Sequence, residues 1–148
     1  MFFILVILGI LVLDQGSKLL VLNMMSEGQS IPVIDGIFKL TYVKNAGAAF
    51  GIFQNQTPFF IIVTFLVVIL VVVFYKKVPQ DKLILRLGLG LQVGGAIGNL
   101  IDRIRFGQVT DFFEVPHWPV FNVADMAIVI GVGLLVIELL RSPQKKEA

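Results

Sequence analysis

The side chains able to do chemistry in this 148-residue chain fall into a few short clusters. Asp14 and Lys18 are four residues apart, Asn99, Asp102 and Arg103 follow an i, i+3, i+4 spacing, Asp111 stands between clusters, and Asn122 and Asp125 are three apart. There is no cysteine, and His117 is the single histidine. A thiolate nucleophile, a disulfide framework and a zinc ribbon are thereby excluded, and a Ser-His or Cys-His couple has no basis. Acid clusters at metal-ligand spacing are missing, so no metal and no cofactor is expected. Carboxylate chemistry remains. Two carboxylates close enough to interact do not both ionise easily, so one keeps its proton and the pair holds an acid beside a base. Such a dyad activates water for attack on a carbonyl and protonates the oxygen or the leaving amine, and its two pKa values belong to the pair. Asp111 and Asp125, with no obvious cations nearby in the chain, are the candidates for it.

The elements that must position these groups are set by composition. Hydrophobic residues make up 57% of the chain and charged residues 15%, with a net charge of +2. A soluble domain has about 25% charged residues, so this is no water-soluble globule, and it is too apolar to be disordered. The small net charge makes no case for nucleic acid. A helix needs about 20 apolar residues to cross a bilayer. Four stretches qualify, at about 2–22, 58–75, 83–101 and 121–140, in a single membrane domain with loops at about 23–57 and 102–120. The N-terminal stretch lacks a basic leader and a small-x-small cleavage site, and reads as a retained span. Lys76, Lys77, Lys82, Arg86, Arg141, Lys145 and Lys146 lie on one side, against Lys39, Lys44, Arg103 and Arg105 on the other. Both termini are therefore expected in the cytoplasm.

Within one outer loop, Asp35-Gly36 between two apolar runs predicts a hairpin, a small platform on the outer surface. Phe112, Phe113 and Trp118 in the other suit the headgroup level. Gly90, Gly94 and Gly98 are four apart on one helix face, which lets helices approach closely. Span two carries almost no polar residue and reads as lipid-facing scaffold. The remaining three bring their polar residues to one outer depth. Ionisable groups inside a span mark function by default, although simpler roles exist for some. Asp14 with Lys18 also reads as a structural ion pair, Asp102 with Arg103 as a topology signal, and Asn122 as a helix N-cap. A transport or channel subunit relaying protons or ions is the alternative function, but a relay needs ionisable groups at several depths. A structural adaptor is a third.

Five segments, taken together, resemble one known family. Asp14-Gln15-Gly-Ser-Lys18, Asn45-Ala-Gly-Ala-Ala-Phe-Gly51, Gly94-Gly-Ala-Ile-Gly-Asn99-Leu-Ile-Asp102-Arg103, Gly107-Gln-Val-Thr-Asp111-Phe112 and Phe121-Asn122-Val-Ala-Asp125 occur in that order. They are similar to the motif series of the bacterial lipoprotein (type II) signal peptidases over nearly the whole chain, departing at Ala46, where the family has Thr. The resemblance implies an all-α membrane protein with four transmembrane helices and a small extracytoplasmic β-hairpin platform. It implies an aspartic endopeptidase of the bacterial cytoplasmic (inner) membrane that removes signal peptides from diacylglyceryl-modified prolipoproteins, cutting just before the lipidated cysteine. Asp111 and Asp125 would be catalytic. Asn45, Asn99, Arg103 and Asn122 would bind substrate or stabilise the site, and Asp14, Lys18 and Asp102 would support it. The expected partners are those prolipoproteins and membrane lipids, with no nucleic acid, and the protein is expected to act as a monomer with its site facing the extracytoplasmic side. The loop from Asn45 to Thr57, with Gly47 and Gly51, is expected to move to admit substrate.

Overall fold

The computed structural model describes residues 1–47 and 55–141. Ala48, Ala49, Phe50 and Gly51 of the second motif, and Lys145 and Lys146 of the tail, lie outside the described residues. The described elements run α1 (Phe2–Met24), β1 (Ser30–Ile34), β2 (Phe38–Asn45), α2 (Thr57–Tyr75), α3 (Leu83–Phe106), β3 (Val109–Glu114) and α4 (Val123–Arg141). All four helices are long and apolar enough to cross a membrane. Their large apolar side chains are widely exposed, Leu5, Leu8 and Val12 on α1 and Val129 and Leu139 on α4 among them. Such surface is stable only against lipid or another apolar phase.

Helix α3 is the centre of the bundle and packs on the other three. Its small residues explain why. A Cβ at Gly90 would press on Val6 and Phe3, and one at Gly94 on Ile10, so the glycine face foreseen in the sequence meets α1. A second small-residue line, unforeseen, meets α4. There a Cβ at Gly95 would collide with the Ala124 carbonyl oxygen, and one at Gly88 would come within 2.9 Å of the Gly131 carbonyl oxygen. Helix α2 has no buried residue, in keeping with a scaffold role.

Helix α3 runs five residues past its expected end, to Phe106, where Gly107 in the left-handed region (φ 73°) stops it. At about 1.5 Å per residue this makes a rod of about 36 Å, longer than the hydrocarbon core. Its last turn therefore reaches the layer occupied by the sheet. Helix α4 begins at Val123, two residues later than expected, because Asn122 caps it. The Asn122 Oδ1 accepts the Asp125 N–H at 2.9 Å, and an Asp125 carboxylate oxygen accepts the Asn122 N–H at 3.2 Å. This reciprocal capping satisfies two N–H groups at a helix start.

The expected hairpin forms. Gly36 takes φ 71° at its turn, and the Ile37 N–H closes on the Ile34 carbonyl at 3.0 Å. It is part of a larger unit, a three-stranded antiparallel sheet of order β1-β2-β3. The sequence reading had no strand at Val109–Glu114, because β3 pairs with a partner more than 60 residues away, and no turn signal marks a non-local pairing. Val21 of α1, Tyr42 of β2 and Phe112 of β3 form a buried cluster that docks the sheet on the helix ends.

Candidate active site

Buried polar side chains among the described residues gather where the sheet meets the helix ends: Asp14, Lys18, Asn99, Asp102, Thr110, Asp111 and Asn122. In an apolar surround each must find partners, or its burial costs several kcal/mol. The partners form two layers.

The inner layer is ionic. The Lys18 Nζ lies 3.0 Å from Asp14 and 3.1 Å from Asp102, and its cation is about 2% exposed. The Gln15 amide nitrogen is within 3.0 Å of both Asp14 and Asp102 and 3.1 Å of the Gly98 carbonyl. The carboxylates in turn hold backbone. Asp14 accepts the Ala124 N–H at 2.9 Å, and Asp102 accepts the Thr110 N–H at 3.0 Å. So the ion cluster of α1 and α3 grips the first turn of α4 and the strand β3, the elements that carry Asp125 and Asp111.

The outer layer is built of asparagines. Lys18 donates to the Asn99 Oδ1 at 3.0 Å, which orients that amide so that its Nδ2 donates to Asp125 at 2.8 Å. Asn122 Nδ2 donates to Asp111 at 2.7 Å and lies 3.1 Å from the Asn99 oxygen. Asn45, at the end of β2, donates to the other Asp111 oxygen at 2.9 Å. Both oxygens of Asp111 thus accept one N–H each, and its residue exposure is 2%. Burial pushes the Asp111 carboxyl up to about 7, with the nearby Asp125 charge adding to it, while Asn45, Asn122 and Lys18 pull the other way.

Asp111 and Asp125 both line a cavity of about 350 Å³, together with the polar Asn45, Asn99 and Arg103, the backbone of Gly47, and the apolar Trp118, Phe121, Ile128 and Val129. Arg103 donates to the Gly47 carbonyl at 3.3 Å and lies 4.8 Å from the centre of the Phe60 ring. A second, apolar cavity of about 340 Å³ also reaches Asp125 along Trp118, Met126 and Val129 of the loop and α4. An acid pair, a cation and amide donors in one cavity with apolar side chains can hold an amphiphile and hydrolyse a polar bond in it.

All nine residues singled out in the sequence occur in this one assembly: Asp111, Asp125, Asn45, Asn99 and Arg103 on the cavity, Asn122 just behind it, and Asp14, Lys18 and Asp102 in the inner layer. His117 is exposed at a turn with φ 63° and is absent from the cavity wall. Two contributors had not been singled out. Gln15 sits next to Asp14 in the chain, and only the fold shows it between two carboxylates. Thr110 contributes through its backbone N–H, for which residue type carries no signal.

A sequence model of the family described as signal peptidase (SPase) II matches residues 6–141. A lipoprotein signal peptidase of Moorella thermoacetica is 51% identical over 138 residues, covering 93% of this chain and 92% of that protein. Another, from Geobacter sulfurreducens, is 46% identical over 148 residues, covering 95% and 92%. A solved structure described as a bacterial membrane enzyme, determined by the in meso method at 2.3 Å resolution, superposes with a TM-score of 0.92 at 36% identity over 99% of this chain and 92% of that one. A second, at 1.9 Å, gives 0.87 at 35% identity over 95% and 93%. With a family match spanning nearly all of its length and the same four-helix fold, this chain belongs to the signal peptidase II family of aspartic-type membrane proteases.

Proposed function

We propose that this protein removes signal peptides from diacylglyceryl-modified prolipoproteins, cutting just before the lipidated cysteine, with Asp111 and Asp125 as the catalytic pair. The observation that carries this reading is the asparagine bridge. Asn122 binds Asp111 through its Nδ2 and Asp125 through capping, so both carboxylates are held at one cavity wall.

The upward shift of Asp111 by burial and the nearby Asp125 charge supports a shared proton resting on Asp111. In this mechanism Asp111 holds it at neutral pH, and Asp125, ionised, takes a proton from water. The resulting hydroxide adds to the scissile carbonyl carbon while Asp111 gives its proton to the carbonyl oxygen. Asp125 then passes its proton to the leaving amine, the C–N bond breaks, and Asp111 recovers a proton from the collapsing diol. Arg103 stabilises the developing oxygen charge across the cavity, a kind of role whose removal costs ~10²–10³ in rate. Asn45, Asn99 and Asn122 hold the two carboxylates and the substrate, and Asp14, Lys18 and Asp102 fix the elements beneath.

The apolar wall by Trp118, Met126 and Val129 suits acyl chains arriving laterally through the bilayer. In the proposed topology both termini are cytoplasmic, the site faces the extracytoplasmic side, and one chain acts alone among lipids. Mass spectrometry of products from a lipidated and an unmodified precursor tests the substrate. A single new N-terminus at the lipidated cysteine is expected, and equal cutting of the unmodified precursor would overturn it.

A further inference from the structure

The flank of the bundle where α1 packs beside α3 carries a groove that shares no described residue with the two cavities at Asp125. Its volume is about 400 Å³. Leu8, Val12 and Leu19 line it, each more than half exposed. Gly16 opens it, with nothing within 4 Å of the place a Cβ would take. From Leu8 to Leu19 the groove follows α1 for about 16 Å, at about 1.5 Å per residue, which is about half of a hydrocarbon core of about 30 Å. One acyl chain of one leaflet fits that length.

The groove ends at a cation. At the sheet end of the bundle Lys18, Lys39 and Lys44 each lie against a carboxylate, and Arg103 donates to the Gly47 carbonyl. Arg105, exposed in the last turn of α3 and lining the groove, forms no ion pair or hydrogen bond among the described residues; its guanidinium carbon lies 5.0 Å from the centre of the Phe106 ring. Asp102, three residues before it, is already engaged by Lys18, Gln15 and the Thr110 N–H. An unmatched cation at the end of an apolar groove calls for an anion beside it and an apolar tail below. A second copy of the chain laid in the groove offers no carboxylate from its described helices, since Asp14, Asp102 and Asp125 are held in the site and Glu138 pairs with Lys82. A lipid with a charged phosphate offers both parts.

We infer that the groove between α1 and α3 binds one phospholipid with a net-negative headgroup, its phosphate on Arg105 and an acyl chain along Leu19, Gly16, Val12 and Leu8. Gln15 lines the same groove, and its amide bridges Asp14 and Asp102, which hold the first turn of α4 and the strand β3. The seated lipid packs on that bridge from the membrane side and stabilises the folded chain. The test uses the full protein in detergent micelles, with phosphatidylglycerol as the anionic probe and phosphatidylcholine of equal chain length as the neutral one. Native mass spectrometry counts the lipid retained, and thermal melting reads its effect. Wild type is expected to keep one phosphatidylglycerol in preference to phosphatidylcholine and to melt higher with it. Arg105→Gln, an exposed change outside the cavities, is expected to lose about fivefold of that preference, the ordinary effect of one basic side chain at an anionic membrane surface. Gly16→Leu, which fills the gap, is expected to shed lipid of either kind and to melt like wild type in lipid-free detergent. The inference is overturned by a wild type without preference, or by a folded Arg105→Gln that keeps the preference in full. An equal rise in melting temperature with inorganic phosphate alone also overturns it, as do lipid-free dimers that Gly16→Leu abolishes.

Discussion

Asn122 serves the helix and the site with one side chain. Its oxygen caps α4 by accepting the Asp125 N–H, and its nitrogen donates to Asp111, so local helix capping and the spacing of the two acids are one constraint. The spacing Asn122-x-x-Asp125 made the cap legible in the sequence, whereas its bridge to Asp111 depends on β3 and was not. Asp111, raised to about 7 by burial and then by the Asp125 charge, gives two predictions of known sign. In its proposed role as the acid, it loses its proton above about 7, so turnover is expected to fall on the alkaline side with a midpoint near that value; a rate that rises through pH 7 to 9 would make it the base. For stability, the unfolded carboxyl loses its proton near 3.8 while the folded one keeps it to about 7. Between those values the folded state binds more protons, so its stability falls as pH rises. Thermal melts of Asp111→Asn are therefore expected to shift in the variant's favour relative to wild type from about pH 4 to about 7, and no further above. Lys18 is the other residue on which much depends. Replacing it in Lys18→Met leaves Asp14 and Asp102 buried without their cation, and loss of one partner of a buried pair costs ~3–5 kcal/mol. Thermal unfolding in detergent is expected to show that loss together with loss of activity.

At the scale of elements, the helices were legible because 20 apolar residues in a row leave few alternatives, and the hairpin because Asp35-Gly36 fits its turn. The strand β3 was not, and with it went the route by which Asp102 and Asn45 hold Asp111. Nor was the line from Gly88 through Gly95 toward α4 read, since Gly90, Gly94 and Gly98 share a visible four-residue spacing and Gly95 falls outside it. Yet a side chain at Gly95 would collide with the Ala124 carbonyl of α4, beside the turn that carries Asp125. Gly95→Ala is expected to push α4 away, lowering the melting temperature and turnover together. Gly9→Ala, with nothing within 4 Å of the added carbon, is expected to leave both unchanged.

For the whole molecule, what matters is asymmetry. The buried ionisable groups among the described residues, Asp14, Lys18, Asp102 and Asp111, lie in one assembly at the sheet end of the bundle, while the core around Phe3, Val78, Leu89 and Val93 is apolar. A relay across a membrane needs such groups along its length, so this layout supports chemistry at one face over transport. Under the proposed function, a substrate anchored in the bilayer would bring its reactive bond to that end of the bundle, with its acyl chains beside α4. The most direct test is turnover of a diacylglyceryl-modified prolipoprotein by the purified protein and by Asp111→Asn and Asp125→Asn, each shown by thermal melting to be folded. The account predicts cleavage by wild type and background rates for both variants. Near-normal cleavage by either folded variant would contradict it.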